Sequence, residues 1–147
     1  MPAAFSQRER LRRTDHDVFV WLCAAILCVM IVRVEASNMR GESALLAELF
    51  VEDMDAQLRE FGVNDVVVGK RIGKLMSVLG GRLGAYRGAL VDADRGKLIE
   101  AVARNVTFVE GADEAVCAES VADKLLALSQ RLAKLSDEQI INASFAA

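Results

Sequence analysis

Proline is all but missing from this sequence. Its single instance is Pro2, so nothing in the body of the chain removes a backbone donor or locks φ. Histidine is as scarce. His16 stands alone, without a nearby nucleophile for a triad or a second candidate pair for zinc. Aromatic residues are only 5% of the chain, and alanine, leucine and valine dominate in their place. The three cysteines, Cys23, Cys28 and Cys117, are odd in number and fall on apolar helical faces. That pattern reads as reduced, buried thiols in a cytosolic compartment. No P-loop, GxSxG, HExxH or paired-cysteine motif is present, so neither an enzyme nor a cofactor or metal is expected. The net charge of −3 gives no global pull toward DNA or anionic lipid.

What is present is apolar and periodic. Hydrophobic residues make up 53% of 147, enough for one domain with a real core. A proline-free body with a period of about 3.6 residues predicts an all-α fold. The expectation is a single-domain bundle of five to six helices around a strongly apolar first helix. Residues 1–14 read as a disordered basic arm, with Arg8, Arg10, Arg12 and Arg13 against Glu9. Such an arm suits either a solubilising tail or contact with lipid headgroups or ribosomal RNA. The helical domain is then 15–147.

Val18–Val32 is an unbroken apolar run. As a helix it spans about 22 Å, short of a hydrocarbon core of about 30 Å. Asp15 and Asp17 before it and Arg33 after it suit the dipole of an ordinary helix. The favoured reading is a central helix buried on nearly all sides. A membrane-inserted segment and a cleaved signal peptide stay open as alternatives.

A second helix is expected from about Gly41 to Phe61, stopped by Gly62. Its apolar side is Leu45, Leu46, Leu49, Phe50, Met54, Gln57 and Phe61. Asp53 falls in the middle of that side. An unpaired buried carboxylate is costly, so Asp53 is expected as a buried structural acid. It would meet Lys70, Arg71 or Arg82, or the amides of residues 67–69; the alternative is a slight rotation that brings it to water. Asp94 is placed to cap a helix from Gly96 to about Val106, with Leu98, Ile99, Val102 and Val106 inward. Asp113 should cap a long helix to Leu135, with Val116, Val121, Leu125, Leu128, Leu132 and Leu135 inward. Ser136 with Gln139 has the form of a capping box, starting a short last helix that reaches about Phe145.

The most distinctive stretch is Asp53–Leu90. After a connector over 63–68, Gly69–Leu90 reads as a helix with three stripes. Ile72, Leu75, Met76, Leu79, Leu83, Tyr86 and Leu90 share an apolar face. Gly69, Gly73, Ser77, Gly80, Gly84 and Gly88 run beside it. Arg71, Lys74 and Arg82 form a basic edge, joined by Lys70 and Tyr86. Each interior glycine costs about 1 kcal/mol against alanine, and the usual return is close approach of another backbone. The plainer alternatives are a break near Gly80–Gly81, with Arg82 and Tyr86 serving the core. The residues Lys70, Arg71, Lys74, Gly80, Arg82, Gly84 and Tyr86 are the candidate binding surface.

This same stretch resembles the ubiquinol–cytochrome c chaperone family. The matching residues are Asp53-Met54-Asp55, Leu58-Arg59-Glu60, Gly62-Val63, Asp65, Val68-Gly69-Lys70-Arg71, Gly81-Arg82 and Ala85-Tyr86. The likeness is clear over about 53–90, weaker over 15–50 and 91–108, and absent beyond 110. One departure is that Leu79 and Gly80 stand where the family has an aromatic pair before its Gly-Arg. The resemblance implies an all-helical, non-enzymatic assembly factor for the respiratory cytochrome bc complex. It would sit in the cytoplasm, peripheral to the inner membrane, and hold newly made cytochrome b or another hydrophobic membrane-protein client. A small partner protein and the ribosome are further partners that the resemblance suggests. A membrane-anchored helical scaffold with 18–32 inserted is the competing reading.

Overall fold

In a computed structural model, the described residues are 7–37, 39–60 and 65–143; side chains are described from Val20 onward, except at 40, 58, 65–69, 71, 72, 74–76, 78 and 79. The elements run α1 (Gln7–Glu35), α2 (Arg40–Glu60), α3 (Asp65–Val91), α4 (Arg95–Asn105), α5 (Glu114–Ala133) and α6 (Asp137–Ile141). Regular structure among the described residues is entirely helical, as the periodicity requires.

α1 is the centre. Ala25 and Cys28 are fully enclosed, and Val29, Ile31 and Val34 nearly so. α2, α3 and α5 all pack on it. Small residues at 24, 25 and 28 let those helices come close. Among the described residues no helix is long and apolar enough to cross a membrane. α1 also begins earlier than expected. Residues 7–14, placed by sequence in a disordered arm, are helical. Their glutamine, arginine, glutamate and leucine are all good helix formers, with no glycine or proline among them.

α2 is rotated relative to its expected inward side. Met54 is buried, with Leu46 and Phe50 packed on the core, while Leu45 and Leu49 are about half exposed at 52% and 51%. Asp53 is exposed, accepting a hydrogen bond from Gln57 Nε2 at 3.2 Å, so it is not a buried structural acid. The energetics favour this rotation. Desolvating an unpaired carboxylate costs several kcal/mol, whereas leaving two leucines half wet forgoes about 1 kcal/mol each. Phe61 and Gly62 lie outside the described residues.

α3 starts at Asp65, inside the expected connector, and runs unbroken through Gly80–Gly81. Its inner line is Tyr86, Ala89 and Leu90. The turn into α4 is tight: Asp94 N–H donates to Ala89 O and Ala93 N–H to Leu90 O. This is the paired bonding of a Schellman end, with Ala93 at φ 50° in the position that normally takes glycine.

Asp94 then caps α4 through Lys97 N–H at 3.0 Å. Leu98 and Val102 of α4 have no exposure. Asp113 caps α5 through Val116 N–H at 3.2 Å. On α5 the buried line is Ala118, Ala122, Leu125 and Leu132, whereas Val116 is 61% exposed. α5 packs on α4 and α1. Ser136 and Gln139 form the capping box of α6 in both directions. α6 ends at Ile141, short of Phe145, because Ala143 turns left-handed at φ 53°. Of the three free thiols only Cys28 is buried; Cys23 and Cys117 are half-buried.

Ala93→Gly removes a left-handed strain of about 1 kcal/mol. Thermal unfolding of this variant should rise by about 2–4 °C for a domain of this size. A fall would mean that the turn does not hold that conformation.

Candidate functional site on the third helix

α3 presents two sides of opposite character. On the outer side, Lys70, Gly73, Ser77, Gly80, Gly81, Gly84 and Gly88 are exposed. At Gly73, Gly80, Gly81, Gly84 and Gly88 a Cβ would meet nothing within 4 Å. The spacing of three and four residues keeps these positions on one strip of the helix. Among the described residues, the protein's own helices therefore do not fill the glycine side. On the inner side sit the two residues that sequence placed at its edge, Arg82 and Tyr86.

Arg82 is half-buried and engaged. Its guanidinium carbon lies 3.6 Å from the centroid of the Trp21 ring. Its Nη1 donates to Asn105 O at 3.0 Å. Asn105 is the last residue of α4, where carbonyls lack helical partners and the dipole is negative. Arg82 thus joins α3 to α1 and to the end of α4. Tyr86 is 2% exposed, so it belongs to the core and not to a binding surface. The wheel had put it on the apolar face, and burial of a large ring outweighs keeping its hydroxyl wet. That hydroxyl is buried and has no hydrogen-bond partner among the described residues. Burial pushes the Tyr86 phenol up, with Cys28 adding to the shift and Arg82 opposing it. Burial likewise pushes the Cys28 thiol up to about 11, against a downward pull from Arg87.

The seven candidate residues therefore divide. Lys70, Gly80 and Gly84 lie exposed on the outer strip. Arg82 and Tyr86 are structural. The side chains of Arg71 and Lys74 lie outside the described residues. Asp53 is on α2, facing water.

Three further joints were not visible in sequence. Arg33 donates to Leu132 O at 3.0 Å, to Leu135 O at 2.8 Å, to Ser37 Oγ and to Asp137 at 3.1 Å. Arg87 grips Glu35 with two bonds of 2.9 and 3.0 Å. Arg95 does the same to Asp123 at 2.7 and 3.1 Å. Apart from Ser37, four residues on, each partner lies 28 or more residues away, so no local pattern signals these contacts.

The open glycine strip offers no catalytic group. What it offers is shape: a helix on which another backbone can lie close. A model of the ubiquinol-cytochrome C chaperone family matches residues 18–147. The chain belongs to that family. The crystal structure of the Cbp3 homolog from Brucella abortus shares the fold, with a TM-score of 0.58 and 24% identity. That match covers 92% of this chain and 90% of the other. A comparison with curated proteins gives no match.

Two outcomes check the division of α3 into an open and a structural side. Tyr86→Phe removes an unpaired buried hydroxyl, worth about 1–3 kcal/mol of desolvation. Its melting temperature should equal or exceed that of the parent. Arg82→Ala should lose about 2 kcal/mol through the lost ring stacking and charged hydrogen bond. A Tyr86→Phe protein that melts earlier would mean that the hydroxyl is bonded.

The thiols give a separate check. At neutral pH Cys117 should react first with a disulfide reagent, and Cys28 only on unfolding, because its thiolate is disfavoured by burial. The folded thiol titrates near 11, above an unfolded value of about 8.5. Its contribution to stability is therefore complete below about pH 8.5 and is lost as pH rises toward 11. Cys28→Ala should flatten that alkaline decline in denaturation midpoints.

Proposed function

We propose that this chain is a non-enzymatic chaperone for assembly of the respiratory cytochrome bc complex, and that it receives newly made cytochrome b on the outer side of α3. One observation carries the placement. A member of this family keeps a glycine strip open along a full helix, at a helical cost of about 1 kcal/mol per glycine. Transmembrane helices pack most closely where small residues recur at intervals of four. Gly73, Ser77, Gly80, Gly81, Gly84 and Gly88 give a client helix such a seat. Lys70, with Arg71 and Lys74 near the same end of α3, would hold the acidic or carbonyl end of that helix.

The place of action is the cytoplasmic side of the inner membrane, where a peripheral protein meets a client before or during insertion. Other hydrophobic membrane-protein segments are compatible clients. A small partner protein and the ribosome are further proposed contacts.

Leucine at the strip tests the seat. At Gly80 and Gly84 an added Cβ meets nothing within 4 Å among the described residues and leucine improves helix propensity, so the Gly80→Leu, Gly84→Leu variant should melt at or above the parent temperature. In a strain lacking the gene, this variant should fail to restore cytochrome b, while the parent restores it. Restoration by the double leucine variant would move the client off α3. Unchanged cytochrome b in the deletion strain itself would remove the chaperone reading.

A further inference from the structure

The rotation of α2 leaves a second surface, distinct from the outer side of α3. The short link over 36–39 makes α1 and α2 antiparallel neighbours. With α1 ending at Glu35 and α2 starting at Arg40, the turn sets Cys23 about level with Asp53, close enough for that carboxylate to act on the thiol. Counting from that pair, Ile26 lies level with Phe50 and Met30 with Leu46. With about 100° per residue, Leu22, Ile26 and Met30 share one line of α1. Leu45, Leu49 and Asp53 share one line of α2. In an antiparallel pair both lines fall on the same side. Ile26 is 42% exposed and Leu45 and Leu49 slightly more than half, while Leu22 and Met30 are half-buried. Single exposed leucines need no explanation. Aliphatic side chains lining both walls of one trough make a patch.

The rim of the trough is acidic. Glu52 and Asp53 are exposed on α2, and α2 as a whole carries six acids against two arginines. We infer that the α1–α2 trough docks a helix of a partner protein, with an apolar stripe edged by lysine or arginine. The leucines supply pockets at the spacing that a helical stripe matches. The acids steer and pair with the basic edges. The same acids repel anionic headgroups and phosphates. A second copy brought in by twofold symmetry would set acid against acid.

The intact chain and a designed peptide test the assignment. The probe is a labelled amphipathic helix of about 18 residues, with a leucine stripe and lysine on both edges. A control keeps the stripe and carries glutamate on the edges. Fluorescence anisotropy at low salt should show the lysine peptide binding about tenfold or more tightly than the control. Leu45→Gln with Leu49→Gln should weaken it about tenfold. Glu52→Lys with Asp53→Lys should reverse the preference between the peptides. All four positions are exposed, and melting curves confirm the fold of each variant. Should the leucine pair melt early, the charge reversal alone still decides. Equal binding of the two peptides, or binding indifferent to these variants, overturns the assignment. So does flotation with phosphatidylglycerol vesicles, or a dimer in sedimentation velocity, that the leucine substitutions abolish. The first outcome would give the trough to a lipid surface and the second to another copy of this chain.

Discussion

Everything in this structure follows from enclosing one apolar helix. Residues 24–34 of α1 offer aliphatic or small side chains around nearly the whole circumference, and such a helix is stable only if others surround it. α2, α3 and α5 meet most of that demand with their inner lines, leaving the line of Leu22, Ile26 and Met30 partly open. Each buried aliphatic side chain contributes about 1.5–3 kcal/mol, against which surface ion pairs are small. The charges at the end of α1 then serve geometry more than energy. Arg33 ties the ends of α5 and α6 to α1, and Glu35 holds α3 through Arg87. The helices are thereby fixed in rotation as well as in position.

That fixed rotation decides which surfaces remain. α3 spends Tyr86, Ala89 and Leu90 on the core, and positions 73, 77, 80, 81, 84 and 88 are left pointing away. Among the described residues the glycines thus touch nothing inside the molecule. A helix that carries them at a cost, without internal return, either tolerates a defect or meets something outside. Membership of a chaperone family favours the second.

Local chemistry was legible in the sequence and remote chemistry was not. The caps Asp94, Asp113 and Ser136 with Gln139 depend on groups three residues apart, so the pattern and the bond are nearly the same thing. The helical class followed from periodicity and the missing prolines. The phase of α2 did not follow. Its apolar side is wider than the core needs, and a wheel cannot say which part of a wide stripe turns inward. Asp53 settled that by its cost of desolvation, a term that the periodicity does not contain. For Arg82 and Tyr86 the sequence leaves a binding surface and a place in the core both open. Their true partners, Trp21, Asn105 and Cys28, lie 23 to 61 positions away, beyond the reach of any spacing argument. The strip at Lys70, Gly80 and Gly84 was legible for the opposite reason: a glycine side needs no partner in its own chain to be recognised.

The two exposed surfaces differ in what they can select. The α3 strip has almost no side chain, so as the proposed client seat it would discriminate by closeness of approach and accept any helix that is itself smooth. Such contacts are individually small, of the order of 0.1–0.2 kcal/mol per atom pair, and are lost together when the partner tilts. That is the property required of a holder that must later release its client to a permanent neighbour. The α1–α2 trough has leucines and fixed charges, so it reads both shape and sign and rejects a partner with the wrong edge. Retention by a charged, apolar trough and release from a nearly bare helix can coexist on one small bundle because the buried first helix lets its neighbours expose unlike faces.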